Sequence, residues 1–558
     1  MSGLRSRFGR RRFIRATGGT AMALGAAALV GCGGGEEPAA TGRKDAPAAP
    51  GAPAAAATAT PQARAIRRGG ELVLPQAGNP PTLDVQLSTA ANTTNLGRML
   101  YDQVLAYVLN ADPADLTIEP SLAASAEVPD AATYRFVLRP GVKMHNRPPM
   151  NGRVVTARDV KFSFDRLRAK GSPVAGVYDP IASIDVVDER TVIFRLNTGY
   201  APFPSVVAEP QTSFVVVPEV VEQDGDMTKR PGASGPFVFD AYEAGVRYRV
   251  NRNPNYFREG YPRVDRVTRI IQNDASALIA AFASKQVHVT GADPVVLEQL
   301  QRLVSNLKVA EQPSATSSAW VFNTRVAPLS DVRVRRALAK AIDQQRLLDV
   351  VLKKTGSLSG PVPPGLGKWA LPSAEVRAAY SQDLAQAKQL LAAAGLSGGF
   401  STSIIVYSGQ TTYSQHAELV QQDLAAVGVR VKIDLQDQAL GRKNLIDGNF
   451  ETGMPTGKTT ALEVDLHLRD NYAAKGSRNW GGFSDAQVEQ WIAQQLVETN
   501  EGKRLELTKQ IQRRVLELMP EVFLPVSSSR SAIRPEVEDY WPSVNSDRAS
   551  EVATWLNA

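Results

Sequence analysis

A single cysteine, Cys32, limits how this chain of 558 residues can be stabilised. No second thiol exists with which it could form an intramolecular disulfide, so the fold depends on burying apolar surface. Zinc sites built from several thiolates are excluded for the same reason. The four histidines do not pair at a zinc-like spacing; they are His145, His288, His416 and His467. We therefore expect a body held together by hydrophobic cores, with no metal site and no cofactor.

The first 31 residues have the order of an export signal. Basic residues precede an apolar stretch at about residues 16–31, which is too short to span a membrane comfortably as a mature helix. The run RRRFIR, starting at Arg10, resembles the twin-arginine export motif, and LVGC, ending at Cys32, resembles a lipobox. The resemblance implies that residues 1–31 are a twin-arginine-type lipoprotein signal peptide and that Cys32 is the lipidation site.

The charge balance argues against nucleic acid as a partner. The whole chain has a net charge of +7, but six arginines and no acid precede Cys32, so the remaining chain carries about +1. A basic excess of the kind that binds phosphate backbones is therefore absent from the part expected to fold. The six arginines of the leader account for most of the high isoelectric point.

Residues 32–68 are predicted to be a disordered tether behind the lipidated cysteine. Alanine, proline and glycine dominate there, and large apolar residues are nearly missing. Such a segment cannot bury enough surface to offset the entropy lost on ordering. The remaining body of about 490 residues is large enough to require at least two lobes.

The body alternates strand-like and helix-like patterns, which predicts an α/β fold. TYRFVLRPGVKMHN places Tyr134, Phe136 and Leu138 on one face of a strand. A helix is predicted to follow, with Thr156 and Asp159 as a capping box. Further along, SDVRVRRALAKAIDQQRLLDVVL is predicted to be one amphipathic helical stretch, DLAQAKQLLAAAG a short helix, and SQHAELVQQDLAAVGVRVKIDL a helix followed by a strand.

These blocks resemble, in order, the family 5 extracellular solute-binding proteins of ABC transporters. The segments that carry the likeness are TYRFVLRPGVKMHNRPPMNGRVVTARDVKFSFDRL, SGPF, RNPNYFREGYPRVDRV, FNTRVAPLSDVRVRRALAKAID and DLAQAKQLLAAAG. The resemblance implies a two-lobed periplasmic-binding-protein-like α/β fold with a ligand cleft between the lobes. We expect residues 69–311 to form the first part of a large lobe, residues 312–455 a smaller lobe, and residues 456–558 the return to the large lobe.

The same resemblance implies partners and a location. The chain is expected to be an exported monomer, held by an acyl anchor on the outer face of the cytoplasmic membrane or in the periplasm. Its partners would be a small solute and the permease subunits of an ABC transporter. It would capture solute by lobe closure, with no bond made or broken.

The stretch GMPTGKTT, from Gly453 to Thr460, has the tail of a nucleotide-binding loop but not its spacing, because the first glycine stands one residue late. In peptide-binding relatives this stretch carries an aspartate that pairs with the ammonium of the bound peptide. Here Met454 and Lys458 stand in its place, and the nearest acids are Glu463 and Asp465. A lysine facing the cleft would disfavour an ammonium and attract a carboxylate or phosphate, although a solvent-facing lysine is the plain alternative.

Further candidates for the ligand cleft follow from their positions in the resembling blocks. Each aromatic residue among them has core packing as its alternative. The complete set of expected ligand-binding residues is Asn92, Thr93, Trp320, Asn323, Tyr407, Tyr413, Met454, Lys458, Asp465 and Trp480.

The amino-acid sequence leaves two alternative functions to be weighed. A sensory or chaperone-like binding protein on the same fold, without a transporter, would have the same sequence features. A secreted hydrolase would need an activated nucleophile or paired acids, and the chain has neither a G-x-S-x-G elbow nor an H-E-x-x-H motif. We therefore expect no catalytic residues.

Overall fold

The computed structural model describes residues 66–108, 110–456, 458–459, 461–542 and 548–557. The predicted signal peptide, Cys32 and nearly all of the tether lie outside the described residues. The described chain from Arg67 onward forms one contact unit. Its helices and strands alternate along the sequence, as the α/β prediction requires.

The helices are α1 Ala91–Leu100, α2 Ala157–Arg168, α3 Phe203–Val207, α4 Pro218–Asp224, α5 Ala275–Ala283, α6 Pro294–Leu303, α7 Val332–Ala341, α8 Gln344–Val351, α9 Ser373–Ala379, α10 Leu384–Ala393, α11 Thr411–Ala425, α12 Gln438–Asp447, α13 Val464–Tyr472, α14 Ala486–Val497, α15 Glu501–Leu518 and α16 Arg548–Ala553. Short 3₁₀ turns occur at Ala175–Val177 and Pro364–Trp369.

The strands are β1 Glu71–Gln76, β2 Leu105–Tyr107, β3 Ile118–Pro120, β4 Ala123–Asp130, β5 Thr133–Leu138, β6 Ile181–Val186, β7 Thr191–Leu196, β8 Phe237–Glu243, β9 Arg247–Arg252, β10 Arg266–Ile271, β11 Val289–Gly291, β12 Lys308–Gln312, β13 Ala319–Phe322, β14 Gly356–Ser357, β15 Phe400–Tyr407, β16 Val429–Gln436, β17 Thr452–Met454, β18 Glu521–Phe523, β19 Val526–Ser527, β20 Ser529–Ile533, β21 Val537–Glu538 and β22 Trp555–Leu556.

Two large hydrophobic cores organise the described residues. The first core draws on residues from Leu72 to Val289 and again on Ile533, Val537 and Val552. Two four-stranded sheets, ordered β1-β10-β9-β8 and β4-β5-β7-β6, supply much of it. Both ends of the described chain therefore contribute to the same core.

The second core is built from the middle of the chain, from Ala319 to Leu524. A five-stranded sheet ordered β16-β15-β17-β13-β18 lies at its centre. Leu116 also belongs to this core, and the partly buried Tyr107 packs against it. The chain thus passes between the cores after β12 and returns before β20.

The two predicted lobe limits, at residues 311 and 455, differ in how they relate to the two cores. The limit at residue 311 adjoins the passage out of the first core, at the end of β12. The limit at residue 455 does not coincide with a division between the cores, because α13, α14 and α15 pack with the second core as far as Leu524. A three-stranded sheet, β11-β20-β12, joins the outgoing and returning segments beside the first core.

Local sequence signals determine several of these elements. In α2, the side chains of Thr156 and Asp159 form the predicted reciprocal capping box. Tyr134, Phe136 and Leu138 on β5 are all buried, as their alternation predicts. The single helical stretch predicted from residue 330 is instead two helices, since Asp343 accepts a hydrogen bond from the backbone N–H of Arg346 at 2.9 Å and starts α8.

Candidate functional site

The five-stranded sheet brings three of the expected ligand residues close together. Trp320 lies on β13, Met454 on β17 and Tyr407 at the end of β15, and these three strands are neighbours in the sheet. Their exposed fractions are only 0%, 0% and 3%. All three side chains therefore contribute to the second core.

The contacts of these side chains are those of core residues. The Trp320 ring meets Phe322 edge-on at 4.6 Å between centroids. Its indole Nε1–H is buried and has no hydrogen-bond partner among the described residues. The Tyr407 ring lies so close to Gly441 that a Cβ there would stand 2.7 Å from it. This packing holds α12 tightly against the end of β15.

Asn323 and Trp480 tie loops to the same sheet. The Asn323 amide donates to the carbonyl oxygens of Gly448 and Phe450 at 3.1 and 2.9 Å. The Trp480 carbonyl accepts a hydrogen bond of 2.8 Å from Arg325, whose Nε also donates to Asn323 Oδ1 at 3.0 Å. Both residues therefore position backbone segments around β13 and β17.

Lys458 forms a buried ion pair at the edge of the second core. Its Nζ donates to Glu521 Oε2 at 2.5 Å, and both side chains are 3% exposed. The other carboxylate oxygen of Glu521 accepts from the hydroxyl of Tyr472 at 2.7 Å. Burial lowers the pKa of Lys458, and the neighbouring Glu521 carboxylate opposes that shift.

This pairing bears directly on the charge expected at Lys458. A buried lysine whose charge is met by a carboxylate at hydrogen-bond distance presents little net charge to a ligand. The geometry therefore gives no support to a repulsion of ligand ammonium by this residue. Sequence reasoning missed Glu521 and Tyr472 as partners, although a lone acid opening the apolar run EVFLPV was a usable signal.

Asp465 lies at the start of α13 and is fully buried. Its Oδ1 accepts from the Gln495 amide at 2.6 Å, and its Oδ2 lies 3.3 Å from the Arg469 guanidinium without a hydrogen bond. Burial raises the pKa of this carboxyl to about 6, and the positive charge of Arg469 limits the rise. The side chain is a member of a buried network and not an open ligand contact.

Glu463 joins that network to another part of the chain. Its carboxylate forms an ion pair with Arg504 and accepts from the Ser205 hydroxyl at 2.5 Å. Arg504 also donates to Gln495 Oε1 at 3.2 Å. Ser205 lies on α3, beside the first core, whereas Glu463 immediately precedes α13 of the second.

The remaining expected residues are divided between the two cores. Asn92 and Thr93 lie on α1, where Thr93 is buried and donates to the Thr82 carbonyl at 2.7 Å. Tyr413 lies on α11 and packs against the second core. The expected set is therefore not one cluster, since Asn92 and Thr93 stand apart from the eight residues around the second core.

Beyond the expected ligand residues, the described chain holds acidic side chains, histidines and a cavity. No group of three or more His, Cys, Asp or Glu side chains gathers there in a metal-binding arrangement. His416 is buried with neither ring nitrogen hydrogen-bonded, and burial lowers its pKa to about 4. A cavity of about 490 Å³ lies beside the Pro364–Trp369 turn, and none of the expected ligand residues lines it. In the part of the chain that the structure covers, every helix is too short or too polar to cross a bilayer.

Comparison with known proteins places these features in a family. Residues 117–462 match the model of the bacterial extracellular solute-binding proteins, family 5 Middle. The di/tripeptide-binding protein 1 of Pseudomonas aeruginosa is 27% identical over 516 residues, which cover 87% of this chain and 94% of that protein. The glutathione-binding protein GsiB of Salmonella typhimurium is 26% identical over 435 residues, which cover 74% of this chain and 81% of that protein.

A solved structure agrees at the level of the fold. HbpA2 from Haemophilus parasuis superposes with a TM-score of 0.77 at 24% identity, covering 87% of this chain and all of that one. The likeness supports the two-lobed α/β architecture predicted from the sequence.

Proposed function

Because this chain belongs to the bacterial extracellular solute-binding proteins of family 5, we propose that it is the substrate-binding component of an ABC importer. It captures a small solute between two lobes and presents it to permease subunits in the membrane. The observation that carries the proposal is the family match across residues 117–462, together with relatives aligned over most of their own length.

The mechanism is a shift in lobe arrangement. A solute that touches both lobes only when they close favours the closed form by its differential affinity for the two arrangements. The two cores are joined by the segments 313–318 and 525–528, which lie between β12 and β13 and between β18 and β20. Short paired connections of this kind can act as hinges while each core stays intact.

The proposed solute is peptide-like. The names of the two relatives specify di- or tripeptides and glutathione. The ion pair of Lys458 with Glu521 removes the charge argument against a free ammonium, so ordinary dipeptides belong among the solutes to be tested. Delivery would follow export through the twin-arginine route and anchoring through lipidated Cys32, which the leader motifs support.

The proposal is tested by small-angle scattering and thermal unfolding with dialanine, glutathione and a mixed dipeptide library. A bound solute should reduce the radius of gyration and raise the melting temperature, since only the native closed form binds it. N-acetylated dipeptides serve as the matched set that lacks the ammonium. Tight binding with no change of shape would contradict capture by closure.

The anchor is tested separately. Cys32→Ala should move the protein from the membrane fraction to the soluble exported fraction, and replacement of Arg10 and Arg11 by lysine should block export. A wild-type protein that is soluble and uncleaved would rule out the lipoprotein assignment without affecting solute binding.

A further inference from the structure

A narrow seam of contacts joins the segment around α3 to the segment that contains α13 and α14. On one side, Phe203 and Val207 belong to the first core. On the other side, Val464 and Ile492 belong to the second core. The seam is therefore a place where the two cores meet through residues distant in sequence, apart from the paired connections after β12 and before β20.

Hydrogen bonds and apolar contacts between described residues cross the seam. The Ser205 hydroxyl donates to Glu463 Oε2 at 2.5 Å. The backbone N–H of Ala201 donates to the carbonyl oxygen of Leu496 at 2.6 Å. Gly199 lies against Val497, so that a Cβ at position 199 would stand 3.8 Å from the Val497 Cβ. Tyr107, beside Ser205, also packs against both cores.

The charged side chains at the seam find their partners within the second-core segment, residues 463–504. Glu463 forms its ion pair with Arg504, Arg504 donates to Gln495, and Gln495 donates to Asp465, which faces Arg469. All five side chains belong to the segment from Glu463 to Arg504. If Ser205 moved away, Glu463 would keep its arginine and no buried charge would be left unpaired. Breaking the seam therefore costs the two hydrogen bonds and the apolar contacts that cross it, without the larger cost of an unpaired buried charge.

Resting on the proposed function, we propose that this seam is an interlobe lock whose breaking accompanies every change of lobe arrangement. Its strength then determines how easily the lobes move and, through that equilibrium, how tightly solute is bound. The contacts that matter are Ser205 with Glu463 and Ala201 with Leu496, while the chain from Arg504 to Asp465 keeps the Glu463 carboxylate in place.

Hydrogen exchange tests the lock without any solute. The Ala201 amide should exchange by local opening, faster than the reference amides of Leu138 and Asn323, which are hydrogen-bonded within one side each. Ser205→Ala should speed Ala201 exchange roughly tenfold, the effect of losing one hydrogen bond to a charged group. Ser183→Ala removes a serine–carboxylate bond outside the seam and should leave it unchanged.

An engineered disulfide supplies the second test. A Cβ separation of 3.8 Å suits a disulfide, so Gly199→Cys with Val497→Cys should oxidise readily in a Cys32→Ala background. The new Cβ at 199 would need Ala131, 3.1 Å away, to shift by a few tenths of an ångström. Dialanine should compact the reduced protein and leave the oxidised one unchanged, and each single-cysteine variant should behave as the reduced protein does.

The outcomes separate the lock from the proposed function. Equal compaction of oxidised and reduced protein would overturn the lock while leaving capture by closure intact. Absence of compaction in the wild type would count against the proposed function for this peptide, and Ala201 exchange would still decide the lock. Ala201 protection as high as that of Leu138, unchanged in Ser205→Ala, would mean that the seam is a fixed contact.

Discussion

At the scale of single residues, the structure gives Lys458 a role in stability, through its buried ion pair with Glu521, where the sequence suggested a role in ligand binding. From sequence, Lys458 is a cation in a loop where the family resemblance implies a partner for a ligand ammonium. In the structure its charge is buried against a carboxylate, and Tyr472 satisfies the second carboxylate oxygen. A single sequence shows the lysine but not which distant acid will meet it, because that pairing depends on how β18 enters the sheet.

Removal of one partner should therefore be costly. Lys458→Met leaves the Glu521 carboxylate buried and uncompensated, which we expect to lower the free energy of unfolding by about 3–5 kcal/mol. The double variant with Glu521→Gln should cost less than the two single changes together. Lys161→Met, in an exposed pair with Asp165, is the control and should cost about 0–1 kcal/mol. Urea unfolding of the two single variants, the double variant and the Lys161→Met control measures these losses. A loss below about 1 kcal/mol in Lys458→Met would reject the buried pair.

Asp465 carries a pH-dependent prediction. Burial raises its pKa from the ordinary aspartate value of 3.8 to about 6, so the folded state holds this proton more tightly than the unfolded state does. Its contribution to stability therefore grows as pH falls from above 6 towards 4. Relative to Asp465→Asn, the wild type should gain melting temperature over that window. A wild-type-minus-variant difference that stays constant between pH 8 and pH 5 would contradict the raised pKa.

At the scale of elements, short sequence patterns predicted the features that depend on residues close together in the chain. The capping box of Thr156 and Asp159 and the alternation on β5 depend on residues a few positions apart, and both were correct. The stretch from residue 330 was wrong as one helix, because its apolar stripe continues through the break at Ile342 and Asp343. An amphipathic stripe shows which face of a helical segment is buried. It does not show where one helix ends and the next begins with its axis in a different direction.

The start of α8 gives the prediction at this scale. Asp343→Ala removes the side chain that accepts from the Arg346 N–H, and should lower stability by about 1 kcal/mol. Asp343→Ser keeps an acceptor at the cap and should retain most of that stability. Thermal unfolding of the two variants decides, and equal losses in both would mean that the cap does not separate α8 from α7.

At the scale of the whole molecule, the family blocks predicted the two-lobed fold but not which core each helix joins. Helices α13, α14 and α15 have apolar faces that either core could accept. Their packing with the second core, as far as Leu524, follows from the position of β18 at the edge of the five-stranded sheet. The ligand residues were harder still to predict, because Trp320, Tyr407 and Met454 have side chains suited equally to a cleft and to a core.

Leu116 connects the cores and gives the last prediction. It lies between β2 and β3, whose Leu105 belongs to the first core, yet its own side chain is 6% exposed within the second core. Leu116→Ala should cost about 2–5 kcal/mol by the loss of buried surface and the cavity left behind. Because the lost contact also couples the cores, the single calorimetric transition expected of the wild type should broaden or divide. Leu87→Ala, at a side chain 46% exposed, is the control and should leave the transition unchanged. A neutral Leu116→Ala would mean that the cores are coupled elsewhere, through the segments 313–318 and 525–528 or through the contact of Ser205 with Glu463.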